Sequence, residues 1–242
     1  MVKIIDLVKR CEALTVAEFQ EVWRDRHGLL VAALPGLRRY VQSHPLLQGY
    51  AKGELLFDRI AEMWFDDEAA WTAARASPEF AAAEREADRI MDKTRVVRMP
   101  VEVHVIKDGD VPAEGVKNIE FVNRRPGMAL EPFRAYWREV HGPIASRIPV
   151  LRRYEQNHLA RSAYGGAEPP YDGLAITWFA STADMKLGTR TPEYEATRAD
   201  EPHFLPDGHL PIIITREHVL KGSAWGETWL NWMRSRHAWR PA

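Results

Sequence analysis

The chain has 242 residues, a formal net charge of −1 and 45% hydrophobic residues. This near-neutral charge gives no electrostatic basis for binding nucleic acid or an acidic membrane surface. The single cysteine, Cys11, excludes an internal disulfide and a cysteine-based metal cluster. No apolar run reaches the ~18–20 residues that span a bilayer, and the charged amino terminus is unlike a signal peptide. The sequence therefore predicts a soluble, cytoplasmic protein.

An internal repeat organises the chain. Residues 19–44 recur 114 positions later as residues 133–158, with no insertion or deletion, and twelve of the 26 aligned positions are identical. A period of this length is that of a duplicated domain, because solenoid repeats are much shorter. The sequence therefore predicts two modules, a linker and a tail. Their ranges are 1–107 for the first module, 108–115 for the linker, 116–221 for the second module and 222–242 for the tail.

In each copy the pattern of residues predicts the order β-α-β-β-α-β. The β-branched run Val2–Val8 is the first predicted strand. Thr15 then offers a helix N-cap with Glu18 three residues later, which is a capping-box pattern. After the helix come a second strand, a third strand at Ile60–Phe65, an Ala- and Glu-rich broken helix, and a fourth strand at 96–106. The second copy repeats this order.

The tail carries a different pattern. Trp225, Trp229 and Trp232 occur at i, i+4 and i+7 and would share one face of a helix. We expect this C-terminal helix to dock on its own module or across a homodimer interface. A membrane-surface helix would have a strongly basic face, which this segment lacks.

Two histidines lie at equivalent positions of the repeat. His27 and His141 share a helical stripe with Trp23 and Trp137, and we expect all four side chains to point towards the sheet. A neutral imidazole in a partly apolar pocket suits a general acid or base near pH 7. A buried histidine that bonds a backbone carbonyl at the helix end would explain the pattern equally well. The sequence leaves both interpretations open.

One strand face has the same pattern, Tyr-x-Gln-x-His, in both copies. The positions between these residues differ between the copies, whereas the three shared residues are identical. Because alternate residues of a strand point to one face, we predict that this face lines a pocket. The residues are Tyr40, Gln42 and His44 in the first copy, and Tyr154, Gln156 and His158 in the second.

Motifs for metals and nucleotides are missing from the sequence. There is no HExxH, CxxC or EF-hand spacing, so we predict no metal site, although His27, His44 and His104 would be the candidate ligands. There is no P-loop and no GxGxxG, which argues against a nucleotide cofactor. No serine lies in a Gly-x-Ser-x-Gly turn, so a nucleophilic triad is unsupported. We therefore predict no cofactor.

Several of these motifs together resemble the EthD family of the dimeric α+β barrel superfamily. They are Phe-x-x-x-Trp-x-x-x-His-Gly, Leu-Arg-Arg-Tyr-x-Gln-x-His, and Tyr171-Asp172-Gly173 ahead of a Trp-Phe pair. The resemblance covers both modules and leaves the tail outside. It implies an α+β fold of two ferredoxin-like βαββαβ modules. Their sheets would close a barrel within one chain, and a ligand pocket would lie between each sheet and its helices.

The resemblance implies several possible functions. Enzymes of the superfamily include cofactor-free lyases, isomerases, cyclases, dehydratases and monooxygenases, and haem-using members exist. We expect a cofactor-independent enzyme that performs proton transfer or elimination on a hydrophobic, oxygenated or aromatic small molecule. One alternative is a non-catalytic protein that holds a hydrophobic metabolite. Another is a haem-binding oxidase or peroxidase with His27, His141 or another histidine as axial ligand.

The second copy is the better candidate for chemistry. It adds His203 and His209, which have no counterparts in the first copy, and more titratable groups favour acid–base work. We predict His141 as acid or base, Tyr154 or Tyr171 as hydrogen-bond donor, and Asp172 as the group that orients a partner. His27 would belong to a weaker first site. The predicted substrate-binding residues are Trp23, Tyr40, His44, Trp137, His158 and His203.

Overall fold

An eight-stranded antiparallel barrel forms the centre of the molecule. A computed structural model describes residues 1–222, so the predicted tail helix lies outside the described residues. The strand order around the barrel is β1-β3-β2-β8-β5-β7-β6-β4. The strands are β1 (Val2–Arg10), β2 (Leu37–Pro45), β3 (Arg59–Phe65), β4 (Met91–Lys107), β5 (Val116–Val122), β6 (Leu151–Leu159), β7 (Gly173–Phe179) and β8 (Ile212–Lys221).

Each copy supplies four strands in the order 4-1-3-2, so the predicted ferredoxin-like arrangement and the barrel within one chain are confirmed. The copies meet at two seams, where β2 pairs with β8 and β4 pairs with β6. Helices cover the outside of the barrel, and none of those in the described part of the chain is long and apolar enough to cross a membrane. The helices are α1 (Val16–Val22), α2 (Gly28–Ala32), α3 (Glu68–Arg75), α4 (Pro78–Ile90), α5 (Leu130–Tyr136), α6 (Gly142–Ala145), α7 (Thr182–Gly188) and α8 (Pro192–Asp200).

A π-helical turn continues the first helix of each copy, at Trp23–His27 and at Trp137–His141. The capping box that the sequence predicts at Thr15 is present, since Thr15 and Glu18 bond each other's backbone N–H groups. Outside the barrel, each copy packs its helices on its own sheet in a separate apolar cluster. A third cluster, with Ile5, Phe121 and Trp178 among its members, includes residues from strands of both copies.

A buried charge network joins the two copies. Lys3 and Lys117 are equivalent in the repeat, and both are almost fully buried. One carboxylate, Glu62, binds both ammonium groups: its Oε2 lies 2.7 Å from the Lys3 Nζ, and its Oε1 accepts from Lys117. Burial opposes ionisation, yet the two lysines hold the pKa of Glu62 at about 2. The repeat places Ile176 at the position equivalent to Glu62, so the network is asymmetric.

Candidate functional site

The Tyr-x-Gln-x-His face supports the π-helical turns. In the second copy, Gln156 donates from its Nε2 to the Trp137 carbonyl at 2.7 Å and to the Tyr154 hydroxyl at 3.1 Å. The Gln156 Oε1 lies 3.0 Å from the His158 Nε2, and the His158 ring stacks on Trp137 with centroids 4.3 Å apart. The first copy repeats these contacts through Gln42. The contacts of the glutamine and the histidine with the π-helical turn therefore explain why both copies have these two residues.

This arrangement also explains the glycine after each histidine. A Cβ on Gly28 would lie 2.7 Å from the Gln42 Nε2, and a Cβ on Gly142 would lie 3.0 Å from the Gln156 Nε2. The close approach of the glutamine amide therefore favours glycine at both positions.

A cavity of about 350 Å³ lies between the sheet of the second module and its helices. In the pairing of β6 with β7, Leu151 lies opposite Phe179 and Tyr154 lies opposite Thr177. One end of the cavity is therefore apolar, with Ile148 and Met185 close to the first of these pairs. The other end is polar. Its wall includes Asn118, Glu120, His141, Tyr154, Thr177, Tyr194, Arg198 and Glu201.

Glu120 is the most perturbed acid of this cavity. It lies on β5 opposite Ala175 and is partly accessible because it borders the cavity. Burial, with the neighbouring Glu201 carboxylate, raises the pKa of Glu120 to about 7. A carboxylic acid with such a pKa can accept or release a proton at neutral pH.

His141 is held by a carboxylate. Its Nδ1 lies 2.8 Å from the Asp200 Oδ2, and the Tyr136 hydroxyl donates to the Asp200 Oδ1 at 2.7 Å. Burial lowers the pKa of His141, and the Asp200 carboxylate partly offsets that effect. Asp200 thus favours the tautomer with its proton on Nδ1, which leaves Nε2 as an acceptor.

Tyr154 provides a hydroxyl on the same wall. Burial raises its pKa, so the phenol stays protonated at neutral pH. The hydroxyl oxygen accepts from Gln156 and, at 3.3 Å, from the Trp137 Nε1. Because both contacts use the oxygen as acceptor, the hydroxyl proton remains available for a ligand.

In the first module, several positions equivalent to those that line this cavity carry apolar or ion-paired side chains. Ile4 replaces Asn118, Met63 replaces Thr177 and Trp71 replaces Met185, and all three belong to one apolar cluster. Asp6 replaces Glu120 and accepts two hydrogen bonds from Arg98, at 2.7 and 2.8 Å. At these positions the first module therefore carries buried apolar side chains and an ion-paired carboxylate, and the pocket expected there stays a prediction.

The predicted site residues of the first module lie in this packed core. Trp23, Tyr40, His27 and His44 are all buried. The His27 Nδ1 has no hydrogen-bond partner among the described residues, whereas the equivalent atom of His141 meets Asp200. The structure therefore gives the two histidines different surroundings.

Three predicted residues of the second module lie away from the cavity. Asp172 accepts from the backbone and side chain of Arg124, and the Tyr164 hydroxyl donates to it at 2.7 Å. Tyr171 packs against Phe121 in the cluster shared by both copies. The carboxylate that contacts the His141 ring is Asp200, whereas the partners of Asp172 are Arg124 and Tyr164. His203 is largely exposed, with its Nδ1 2.8 Å from the Asp200 carbonyl.

Trp137 and His158 support the cavity from behind, since they stack on each other and neither is among the lining residues. Glu120 and Asp200 were missed by the sequence analysis. The repeat does carry a signal for both of them. The 114-residue offset pairs Glu120 with Asp6 and Asp200 with Glu86, so each position is acidic in both copies.

The family assignment follows from a domain model. The EthD domain matches residues 12–94 and 125–207, which together make up more than half of the chain. The chain belongs to the EthD family. No curated protein matches the sequence.

Solved structures similar to this EthD protein share its fold. An anthrone oxidase-like protein superposes with a TM-score of 0.59 at 10% identity, over 93% of this chain and 96% of that chain. A mutant chlorite dismutase from Candidatus Nitrospira defluvii gives 0.50 at 9% identity, over 90% and 92%. An EthD family protein from Bacillus halodurans C-125 is 25% identical over 40% of this chain and 95% of that chain, with a TM-score of 0.32.

The cavity does not fit a haem. Its volume is near the lower end of the ~300–1,000 Å³ typical of small-molecule sites. The charged groups of its wall include the carboxylates of Glu120 and Glu201, and the guanidinium of Arg198 is already paired with Glu201. An acidic wall does not suit a group that itself carries two carboxylates. The His141–Asp200 pair resembles an axial histidine with its supporting carboxylate, but the remaining wall does not suit that group.

Proposed function

We propose that the second module is a small-molecule enzyme that moves a proton on an apolar, oxygenated substrate. The observation that carries the proposal is the convergence of Glu120, His141 and Tyr154 on one cavity with an apolar end. A lyase, dehydratase or isomerase needs a base, an acid and a donor to a developing oxyanion. Glu120 and His141 would exchange the proton, and Tyr154 would donate to the substrate oxygen. Binding without catalysis is the alternative, because the same cavity would hold a metabolite.

Proton transfer can be measured before the full reaction is known. Candidate hydroxylated aromatic and enone compounds would be incubated with the protein in D₂O, and deuterium incorporation at carbon followed by NMR. For a compound that exchanges, His141→Ala and Glu120→Gln should each lower the rate by about 10²–10⁴-fold, as is typical of losing an acid–base group. His27→Ala is the matched control from the first module and should change the rate little.

Two outcomes would redirect the proposal. Full exchange rates in both His141→Ala and Glu120→Gln would remove these residues from the chemistry and leave a binding role. Turnover that stops in the absence of O₂ would replace proton transfer with oxygenation, the chemistry suggested by the name of the anthrone oxidase-like structure.

A further inference from the structure

The polar end of the cavity is rich in hydrogen-bond acceptors. The Asn118 Oδ1 is buried and has no hydrogen-bond partner in the described part of the chain. Asn118 and Glu120 lie two residues apart on β5, and both border the cavity. Glu201 adds a second carboxylate to the wall. An unpaired buried acceptor costs free energy unless a ligand or water satisfies it.

The basic side chains of the cavity wall are Arg198, His141 and His209. Arg198 is bound to Glu201 and also donates to the Gly208 carbonyl at 3.5 Å. Burial lowers the pKa of His141, so its imidazole is mostly neutral at pH 7. An anionic ligand would therefore bring a third negative charge towards two carboxylates. It would also bring acceptors to the Asn118 Oδ1, which needs a donor, although the Tyr154 hydroxyl can donate to one of them.

Resting on the proposed function, we propose that the cavity selects uncharged ring compounds that carry a hydroxyl donor and rejects carboxylates. The hydroxyl group would donate to the Asn118 Oδ1 or the Glu120 carboxylate, and the ring would lie towards Leu151 and Phe179. Asn118 is then a specificity-determining residue. The first module has Ile4 at this position, which has no acceptor.

Three probes of similar size separate the effect of a hydroxyl donor from the effect of a negative charge on the ligand. 2-Naphthol carries a hydroxyl donor, 2-methoxynaphthalene lacks the donor, and 2-naphthoate is an anion. Binding to the full chain would be measured at pH 7.5 by titration calorimetry or ligand-observed NMR. We expect 2-naphthol to bind about tenfold or more tightly than either of the others, since each of them leaves a buried acceptor unpaired.

Variants test which residues set this preference. Asn118→Leu should weaken 2-naphthol binding while leaving 2-methoxynaphthalene nearly unchanged. Glu120→Gln should reduce the difference in affinity between 2-naphthol and 2-naphthoate. Thr177→Met gives the second module the side chain that the first has at this position, and it should weaken all three probes by filling the cavity.

Binding of 2-naphthoate or 2-methoxynaphthalene as tight as that of 2-naphthol would overturn the inference, and so would the absence of 2-naphthol binding. These experiments measure binding and do not require the protein to convert the probe. Selective binding without proton transfer would contradict only the proposed function. Turnover confined to anionic substrates would contradict only the inference.

Discussion

Glu120 and Asp6 occupy the same position in the two copies and have opposite electrostatic surroundings. Burial and Glu201 raise the pKa of Glu120. Burial acts on Asp6 in the same direction, but Arg98 and Arg59 overcome it and lower the pKa of Asp6. One aspartate is thereby fixed in a structural ion pair, whereas the glutamate can change its charge near neutral pH. The difference arises from partners on β3 and β4, since Gly173 and Ile212 replace the two arginines in the second copy.

This difference predicts stability changes of opposite sign. The folded state holds the Glu120 proton up to a pKa of about 7, whereas the unfolded chain releases it near 4.5, so this group lowers the free energy of unfolding as pH rises between these values. Glu120→Gln should therefore raise the melting temperature at pH 8 relative to wild type, and by more than it does at pH 4.5.

Asp6→Asn is the matched comparison. The lowered pKa of Asp6 contributes stability that is present above its unfolded value of 3.8 and is lost as pH falls through the folded value. This variant should therefore lower the melting temperature at pH 8 and have less effect at pH 3. Parallel pH profiles for the two variants would contradict the assigned environments.

At the scale of elements, the π-helical turns and the strand glutamines form one unit in each copy. In a π-turn, the Trp137 carbonyl accepts from the Gly142 N–H, and Gln156 adds a second donor to it. Such turns often mark functional sites. Here the turn ends at His141, the residue that borders the cavity. The equivalent turn in the first copy ends at His27, which is also buried.

Replacing the strand glutamine of either copy should lower the free energy of unfolding. Gln156→Leu leaves the Tyr154 hydroxyl and the His158 ring with fewer partners in a buried region, and a lost buried hydrogen bond typically costs about 1–3 kcal/mol. Gln42→Leu removes the same contacts from the first copy and should cost a similar amount. Urea denaturation of both variants measures the effect. A change below about 0.5 kcal/mol, the usual range for surface substitutions, would mean that the glutamines are not structural.

The sequence predicts elements better than it predicts the site. An ungapped offset transfers each strand and helix from one copy to the other, because a shared register requires a shared fold. The structure brings His141 and Tyr154 to the cavity. It places Asp172 next to Arg124. The sequence could not predict this contact, because loop residues have no periodicity from which a contact could be inferred. The cavity of the second module is lined by residues of several strands and helices, and this combination becomes apparent only when the strands are assembled.

At the scale of the whole molecule, a single carboxylate serves two lysines from different copies. Glu62 and both lysines are almost fully buried. Removing one partner of a buried ion pair typically costs about 3–5 kcal/mol, because the remaining charge loses its counter-ion. Lys3 also contacts Glu155 and Lys117 also contacts Glu217, so the cost here should lie at the lower end of this range. Glu62→Ile should therefore lower the free energy of unfolding by an amount of this order, measured by chemical denaturation.

The repeat offers a rescue variant. Ile176→Glu places a carboxylate at the position equivalent to residue 62, from which the two lysines are reached by the same pseudo-twofold relation. The double variant Glu62→Ile with Ile176→Glu should regain part of the stability that Glu62→Ile loses. If the double variant were less stable than Glu62→Ile alone, the two positions would not be interchangeable.

The fusion of the two copies in one chain also affects how their sequences can diverge. In a homodimer every amino-acid change appears twice, so a mutation that closes one pocket closes the other as well. In this chain Met63 and Trp71 could arise on one side while Thr177 and Met185 remained on the other. Fusion of the copies thus lets the positions around one cavity change without the same change in the other copy. Independent change of this kind is closed to two identical subunits.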